Sequence, residues 1–371
     1  MSKKSKNKLC YVTNIAAHYR SAIYLLMDKS FDMDFIFGDH EADKRFDVSL
    51  LHNPTKVIWN TKIGKRFDYQ KGIPFLFTKY DTILITGNTH CMSTWLLLLL
   101  SYPFRNKKVY LWSHAWYGKE SRMERFVKKI FFGMASGTFT YGDRAKKLMI
   151  ENGLNGDKIW PLHNCLDHEA QLRVRNKLSE SSIYRDKFNN NNPNLIFIGR
   201  LTPVKKLDMV VKALAICKEK GHDYNMTFIG DGPMMNQLQD EVKQNKLVDR
   251  VWFYGACHDE EKNGELIYNA DLCVSPGNVG LTAVHCMTFG TPVITNDDFS
   301  HQMPEFETIK PGETGDFFEN GNAESLADQI ISWIESKKHR EEIRQNCYRV
   351  IDTEWTPEYQ IRIMKEHLIS H

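Results

Sequence analysis

A chain of 371 residues exceeds what one hydrophobic core of ordinary size organises, so about two domains are expected. Its 42% hydrophobic and 26% charged content is that of a soluble globular protein, and a net charge of +3 is too small to mark a nucleic-acid binder. The longest apolar run, residues 95–100, falls far short of the roughly 20 residues that a membrane-spanning helix needs.

The basic start MSKKSKNK runs straight into a strand-like segment and lacks the apolar region and cleavage site of a signal peptide. The eight cysteines include no CxxC pair and read as buried free thiols of a reducing compartment. A cytoplasmic protein is expected.

Residues 9–13 read as a first strand, followed by the loop 14–18 and a helical pattern from Tyr19 and Arg20. Further strands are expected at 33–37, 56–59, 82–86 and 109–112, several of them separated by helix-length segments. This alternation predicts a mostly parallel sheet with helices on its faces. Ligands of such sheets bind beyond the carboxyl ends of the strands, which here are followed by residues 14–20, 87–90 and 113–118.

Residues 119–132 form an amphipathic helical pattern with Met123, Phe126, Val127 and Ile130 on one face. Between 105 and 150 there are eleven Lys and Arg against three Asp and Glu. The favoured expectation is a surface helix packed on the sheet with a solvated charged side. The sharper one is a basic surface that meets an anionic membrane.

The polar stretch 176–193, with its run of four asparagines, marks the domain boundary, set between 180 and 181. A second alternating series follows. Strand 194–198 leads into Gly199, Arg200, Leu201 and a basic turn with Lys205 and Lys206. Strand 226–229 leads into Gly230-Asp231-Gly232-Pro233, and another strand spans 250–254. Residues 272–274 lead into the glycine-rich mouth of Gly277 and Gly280, a short helix over 281–289, and a new strand after Gly290. Glycines admit a close-lying ligand and a helix start favours anions, so a phosphate-bearing ligand is the first expectation for this stretch. Closing helices are expected at 324–335, 340–351 and 357–370.

Taken together, Gly199-Arg200-Leu201 with Lys205, Gly230-Asp231-Gly232-Pro233, 251–255, Gly280-Leu281, 290–294 and 312–315 resemble the carboxyl-terminal domain of the retaining glycosyltransferases of family 4. The match covers about 160 residues, 194–355. In the amino-terminal half the resemblance is limited to strand and helix rhythm and to Asn164 to Asp167. The resemblance implies an α/β GT-B fold: two Rossmann-like domains facing across a cleft. The acceptor domain would be 1–180, the sugar-nucleotide domain 181–355, and the terminal helix 356–371 would pack back on the first.

By this resemblance Arg200 and Lys205 are diphosphate ligands and catalytic groups, since a planar fork and a point charge both stabilise a departing diphosphate. The expected donor site adds Gly199, Tyr254, Gly277, Asn278, Val279, Gly280, Leu281, His285 and Glu305. His114 is expected to orient the donor sugar or stabilise a cationic centre. His18, Tyr19, Arg20 and His90 are the acceptor-side candidates. Family 4 commonly carries two glutamates eight positions apart where this chain has Gly277 and His285; Asn278, the backbone amides of Val279 and Gly280, or Glu305 and Glu307 are the expected replacements for the sugar-side carboxylate.

No cluster has zinc spacing, so transfer without a metal or other cofactor is expected. The partners implied are a nucleoside diphosphate sugar and a glycan or lipid-linked acceptor, with membrane contact through 119–132. Two alternatives stand beside transfer: a catalytically idle sugar-nucleotide-binding partner of a glycan assembly complex, and a GT-B epimerase or phosphorylase.

Overall fold

The structure, a computed structural model, describes residues 8–39, 45–336 and 339–368. The basic start at 1–7 and the expected helix end at 369–370 lie outside them. The chain divides into two compact units, Met1–Asp167 with Thr356–His371, and His168–Trp355.

In the first unit the main strands are β1 (Leu9–Thr13), β2 (Met33–Gly38), β3 (Thr55–Ile58), β6 (Thr82–Thr86), β7 (Lys108–Ser113), β8 (Gly137–Thr140) and β9 (Ile159–Pro161). They form one parallel sheet in the order β3-β2-β1-β6-β7-β8-β9. A separate antiparallel hairpin, β4 (Asn60–Ile63) and β5 (Phe67–Gln70), follows β3. Every residue of β1 is buried, as a central strand covered on both faces requires. Tyr11 joins Phe35, Phe37, Trp112 and Phe139 on one side, while Cys10 and Val12 join Ile83, Ile85 and Leu111 on the other. The terminal helix Pro357–Leu368 adds Ile361, Met364 and Leu368 to the Tyr11 side. Gln360 Nε2 there donates to the carbonyl of His163 at 2.5 Å.

The second unit holds β10 (Asn194–Ile198), β11 (Asn225–Ile229), β12 (Val251–Gly255), β13 (Leu272–Ser275), β14 (Val293–Asn296) and β15 (Gly315–Phe318), all parallel, in the order β12-β11-β10-β13-β14-β15. In both sheets the third, second and first strands of the unit precede the later ones. The strand order therefore reverses beside β1 and β6 in one unit and beside β10 and β13 in the other. A crevice opens at such a switch point because the two flanking connections leave to opposite faces.

Two expectations need correction. The boundary falls at Asp167/His168 rather than 180/181, because the helix His168–Arg175 is tied into the second unit. His168 Nε2 lies 2.8 Å from Asp352, Arg175 grips the same carboxylate at 3.0 and 2.7 Å, and Gln171 donates to Glu260 at 2.8 Å. The asparagine run is a surface loop of that unit, where Asn190 and Asn194 bond Asn225.

The second correction concerns 119–132. The helix is Arg122–Gly133, started by a capping box between Ser121 and Glu124, and it buries Phe131 and Phe132. The stripe expected to face the sheet points outward instead: Met123 is 70% and Phe126 61% exposed, and Ile130 is exposed too. Two adjacent phenylalanines outweigh the stripe, and Lys128 is turned inward to Glu120 at 2.7 Å.

All eight cysteines are free; seven are buried and Cys257 is half-exposed. Among the described residues, no helix is long and apolar enough to cross a membrane.

Candidate functional site

At the switch point of the second unit the loop after β10 meets the loop after β13. Gly199 takes a φ of +147°, a region in which side chains are strained, and Arg200 follows with its side chain exposed. Pro203 to Lys205 make a single tight turn, and Lys206, at φ +50°, redirects the chain into the helix Asp208–Glu219. Lys205 is half-buried and its Nζ donates to the Asn278 carbonyl at 2.6 Å. Burial holds its ammonium below the usual lysine value; Glu305 opposes that and the charge of Arg200 adds to it.

Gly277 is required by close packing. A Cβ there would lie 2.1 Å from the carbonyl oxygen of Val204 and 2.6 Å from the Lys205 backbone. Gly280 takes φ +55° and starts the helix Leu281–Thr288, and Thr282 Oγ1 anchors that helix to the end of β10 through the Ile198 carbonyl at 2.8 Å. The amide of Val279 is already committed to Gln302 Oε1 at 2.8 Å, which removes it from the expected replacements for the sugar-side carboxylate. Glu305 is buried and bears electrostatically on Lys205.

His285 of the expected donor site is held by a carboxylate. Its Nε2 lies 3.0 Å from Glu260 Oε1, at the start of the helix Glu260–Asn269. Tyr254 stands on the edge strand β12 with its ring against Trp252.

Sequence reasoning missed the residues that shape this loop. Asn296 Nδ2 donates to the carbonyls of Pro276 and Gly277 at 2.8 and 2.9 Å, and Gln302 Nε2 donates to Gly277 at 3.1 Å and to Thr295 at 2.9 Å. Both side chains are buried. A buried amide with several polar partners is the signal, and it exists only once the fold brings 277, 296 and 302 together. A recess of about 330 Å³ lies beside the loop, lined by Lys206, Gly277, Asn278, Asn296, Asp298 and His301 among others.

In the first unit a cavity of about 460 Å³ opens at the switch point between β1 and β6. Tyr19, Arg20, His90 and His114 line it, together with Asn14, Thr86, Trp112, Tyr117, Lys128 and Tyr141. Three of the four acceptor-side candidates are thus gathered with His114. His18 is exposed and is not part of the lining.

The His114 ring packs 4.3 Å from that of Tyr141, and its buried Nδ1 meets no hydrogen-bond partner among the described residues. Burial, then the charge of Arg20, lower its pKa to about 4, so it is neutral at pH 7. The loop below is clasped by Glu120, another residue missed in the sequence, which accepts from the amides of Tyr117 and Gly118 at 2.8 and 2.9 Å and from Lys128.

Two doubly wound units in one chain, each with its loops gathered at the switch point, define the GT-B class. Solved structures agree. HepE of Anabaena, determined in complex with UDP, superposes with a TM-score of 0.73 at 20% identity, covering 98% of this chain and 100% of that one. The lipopolysaccharide outer core galactosyltransferase WaaB superposes with a TM-score of 0.71 at 14% identity, covering 97% and 98%.

Residues 180–350, most of the second unit, match the family model described as glycosyl transferases group 1. The N-acetyl-alpha-D-glucosaminyl L-malate synthase of Bacillus anthracis is 30% identical over 168 residues, 43% of this chain and 42% of that protein. EpsD of Bacillus subtilis is 24% identical over 288 residues, 77% of this chain and 66% of its own length. The matches thus span less than two thirds of either relative.

Proposed function

We propose that the protein is a retaining glycosyltransferase that moves a sugar from a nucleoside diphosphate donor to a glycan or lipid-linked acceptor without a metal. The observation that carries this reading is the placement of Arg200 and Lys205 in the loop after β10, with the Lys205 ammonium 2.6 Å from the Asn278 carbonyl beside the glycine-rich start of the helix Leu281–Thr288. When the bond between the anomeric carbon and the diphosphate oxygen breaks, charge grows on the diphosphate, and Arg200 and Lys205 offset it. The acceptor oxygen forms the new bond on the same face and its proton passes to the departing diphosphate. The complexes of HepE with UDP and with UDP-glucose support a sugar-nucleotide donor by analogy of fold. Neutral His114 offers hydrogen bonds to hydroxyls without repelling a cationic centre.

The test is a panel of sugar nucleotides read by thermal shift and by release of free sugar. At least one should stabilise the chain and be hydrolysed slowly, and Arg200→Ala and Lys205→Ala should each weaken that response at least about tenfold. A chain indifferent to every donor contradicts the proposal, and one that binds a donor but never transfers it to any acceptor supports the idle-partner reading instead.

The same reading includes contact with an anionic membrane surface. The exposed Met123, Phe126 and Ile130 are interleaved with exposed Arg122, Arg125 and Lys129. Trp95, packed 4.9 Å from Phe131, joins this helix to Met92–Ser101, which exposes Leu96, Leu99 and Leu100. Apolar side chains ringed by basic ones suit the boundary between acyl chains and anionic headgroups.

A further inference from the structure

The cavity of the first unit has a charge imbalance that the packing of its sheet does not require. Arg20 is half-buried beside it, with the guanidinium carbon 4.6 Å from the centre of the Trp112 ring and 5.1 Å from that of Tyr141. It donates to the Tyr141 hydroxyl. Among the described residues no carboxylate forms an ion pair with Arg20, and neither aspartate nor glutamate lines the cavity. The other lining cation, Lys128, is neutralised by Glu120 at 2.7 Å and also bonds the Ala115 carbonyl at 2.6 Å.

Trp112 is 2% exposed and lines the cavity, and its buried indole N–H meets no acceptor among the described residues. A half-desolvated guanidinium among neutral rings attracts an anion more strongly than the same group in water. Its fork fits the two oxygens of a carboxylate or phosphate, and the rings of Trp112 and Tyr141 with the Tyr141 hydroxyl hold it in place. The volume, about 460 Å³, suits a ligand of sugar size, and the exposed ring of Tyr19 adds an apolar wall.

We infer that this cavity takes an acceptor bearing a carboxylate or phosphate group, recognised by the guanidinium of Arg20. The assignment to the acceptor rests on the transferase reading above; the anion site itself does not. If Arg20 served only to hold Tyr141, the cavity would not distinguish a charged ligand from its neutral counterpart.

The experiment is calorimetric titration of the full chain carrying Arg200→Ala and Lys205→Ala, so that the second unit's cations do not contribute. The probes are methyl glucuronide against methyl glucoside, and glycerol 3-phosphate against glycerol. One charged probe should bind at least about tenfold more tightly than its neutral counterpart, as charge-assisted bonds require. Which pair shows the preference separates carboxylate from phosphate. Adding Arg20→Gln should remove the preference, and Arg20→Lys, which keeps the charge but loses the fork, should weaken it.

Equal binding of charged and neutral probes overturns the inference, and that comparison holds even if Arg20→Gln does not fold. A preference that survives Arg20→Gln, or undiminished affinity in Arg20→Lys, overturns it as well. If the chain with Arg200 and Lys205 intact ignores every sugar nucleotide while the anion preference persists, the transferase reading fails and the anion site stands.

Discussion

The imidazole Nε2 of His285 lies 3.0 Å from Oε1 of Glu260, so a carboxylate from a neighbouring helix meets the helix that begins at the glycine-rich loop. Glu260 also accepts from Gln171 at 2.8 Å. Burial alone would raise its pKa, but the hydrogen bond and charge of His285 and the bond from Gln171 bring it below the ordinary carboxylate value of 4.5. The fold therefore favours the ionised form. This contribution is fully present above pH 4.5 and is lost as the pH falls through the lower folded-state value. Glu260→Gln should cost about 1 kcal/mol at pH 7, a figure reduced for partial exposure. Urea denaturation at neutral and acid pH checks it: the gap between the two proteins should close in acid, and a gap that widens there would contradict the assignment.

Position 277 gives a second prediction. A methyl group at Gly277 would collide with backbone atoms of Val204 and Lys205, none of which can rotate away. Gly277→Ala should destabilise the second unit by about 1–3 kcal/mol and shift Lys205, weakening sugar-nucleotide binding together with stability. Gly277→Glu should fare no better, although it restores the carboxylate that family 4 commonly carries there. Thermal denaturation with and without donor reads both effects, and a Gly277→Glu protein with improved donor binding would show that the loop relaxes.

These two positions also mark how far the sequence was legible. The β strands at 9–13, 82–86 and 194–198 were readable because continuous apolar runs admit few alternatives. Arg200 and Lys205 were singled out through the resemblance, whose motif lies in one short stretch after a glycine-ended strand. The partnership of His285 with Glu260 spans 25 residues and two helices, and no periodicity encodes it. The clasp of Gln302 on Gly277 is of the same kind. Strands β8 and β9 escaped because four and three residues are too few to show a pattern. At Phe126 the pattern was seen but its direction was misread: periodicity says that a helix has an apolar face, not what that face meets.

The outward stripe makes the third prediction. Phe126→Ser with Ile130→Ser should leave stability within about 0.5 kcal/mol of the parent, because neither side chain is buried. The same double variant should lose most binding to vesicles rich in phosphatidylglycerol. In sedimentation the parent should bind such vesicles, bind phosphatidylcholine vesicles weakly, and be released from the anionic ones as salt rises, since salt screens the attraction between basic side chains and anionic headgroups. If the parent ignores anionic vesicles but the variant loses a dimer, the face meets a second copy of the chain and not a membrane.

The last prediction concerns the clasp beneath the first unit's cavity. The Glu120 side chain is 5% exposed and holds two backbone amides and the 18% exposed ammonium of Lys128. Glu120→Ala leaves that cation buried without its partner and frees the amides of Tyr117 and Gly118, so it should cost about 3–5 kcal/mol. Glu120→Ala with Lys128→Met should cost distinctly less, because the stranded charge goes with its partner and an unbranched apolar chain fills the space. The pair also has a pH signature. Burial opposes ionisation of Glu120, yet Lys128 and the Tyr117 amide hold its pKa below 4.5, so the difference between parent and Glu120→Ala should shrink as the pH drops below that value. Equilibrium unfolding of the four proteins of this cycle separates the two causes. If the double variant is as unstable as the single one, the two amides and not the charge account for the clasp.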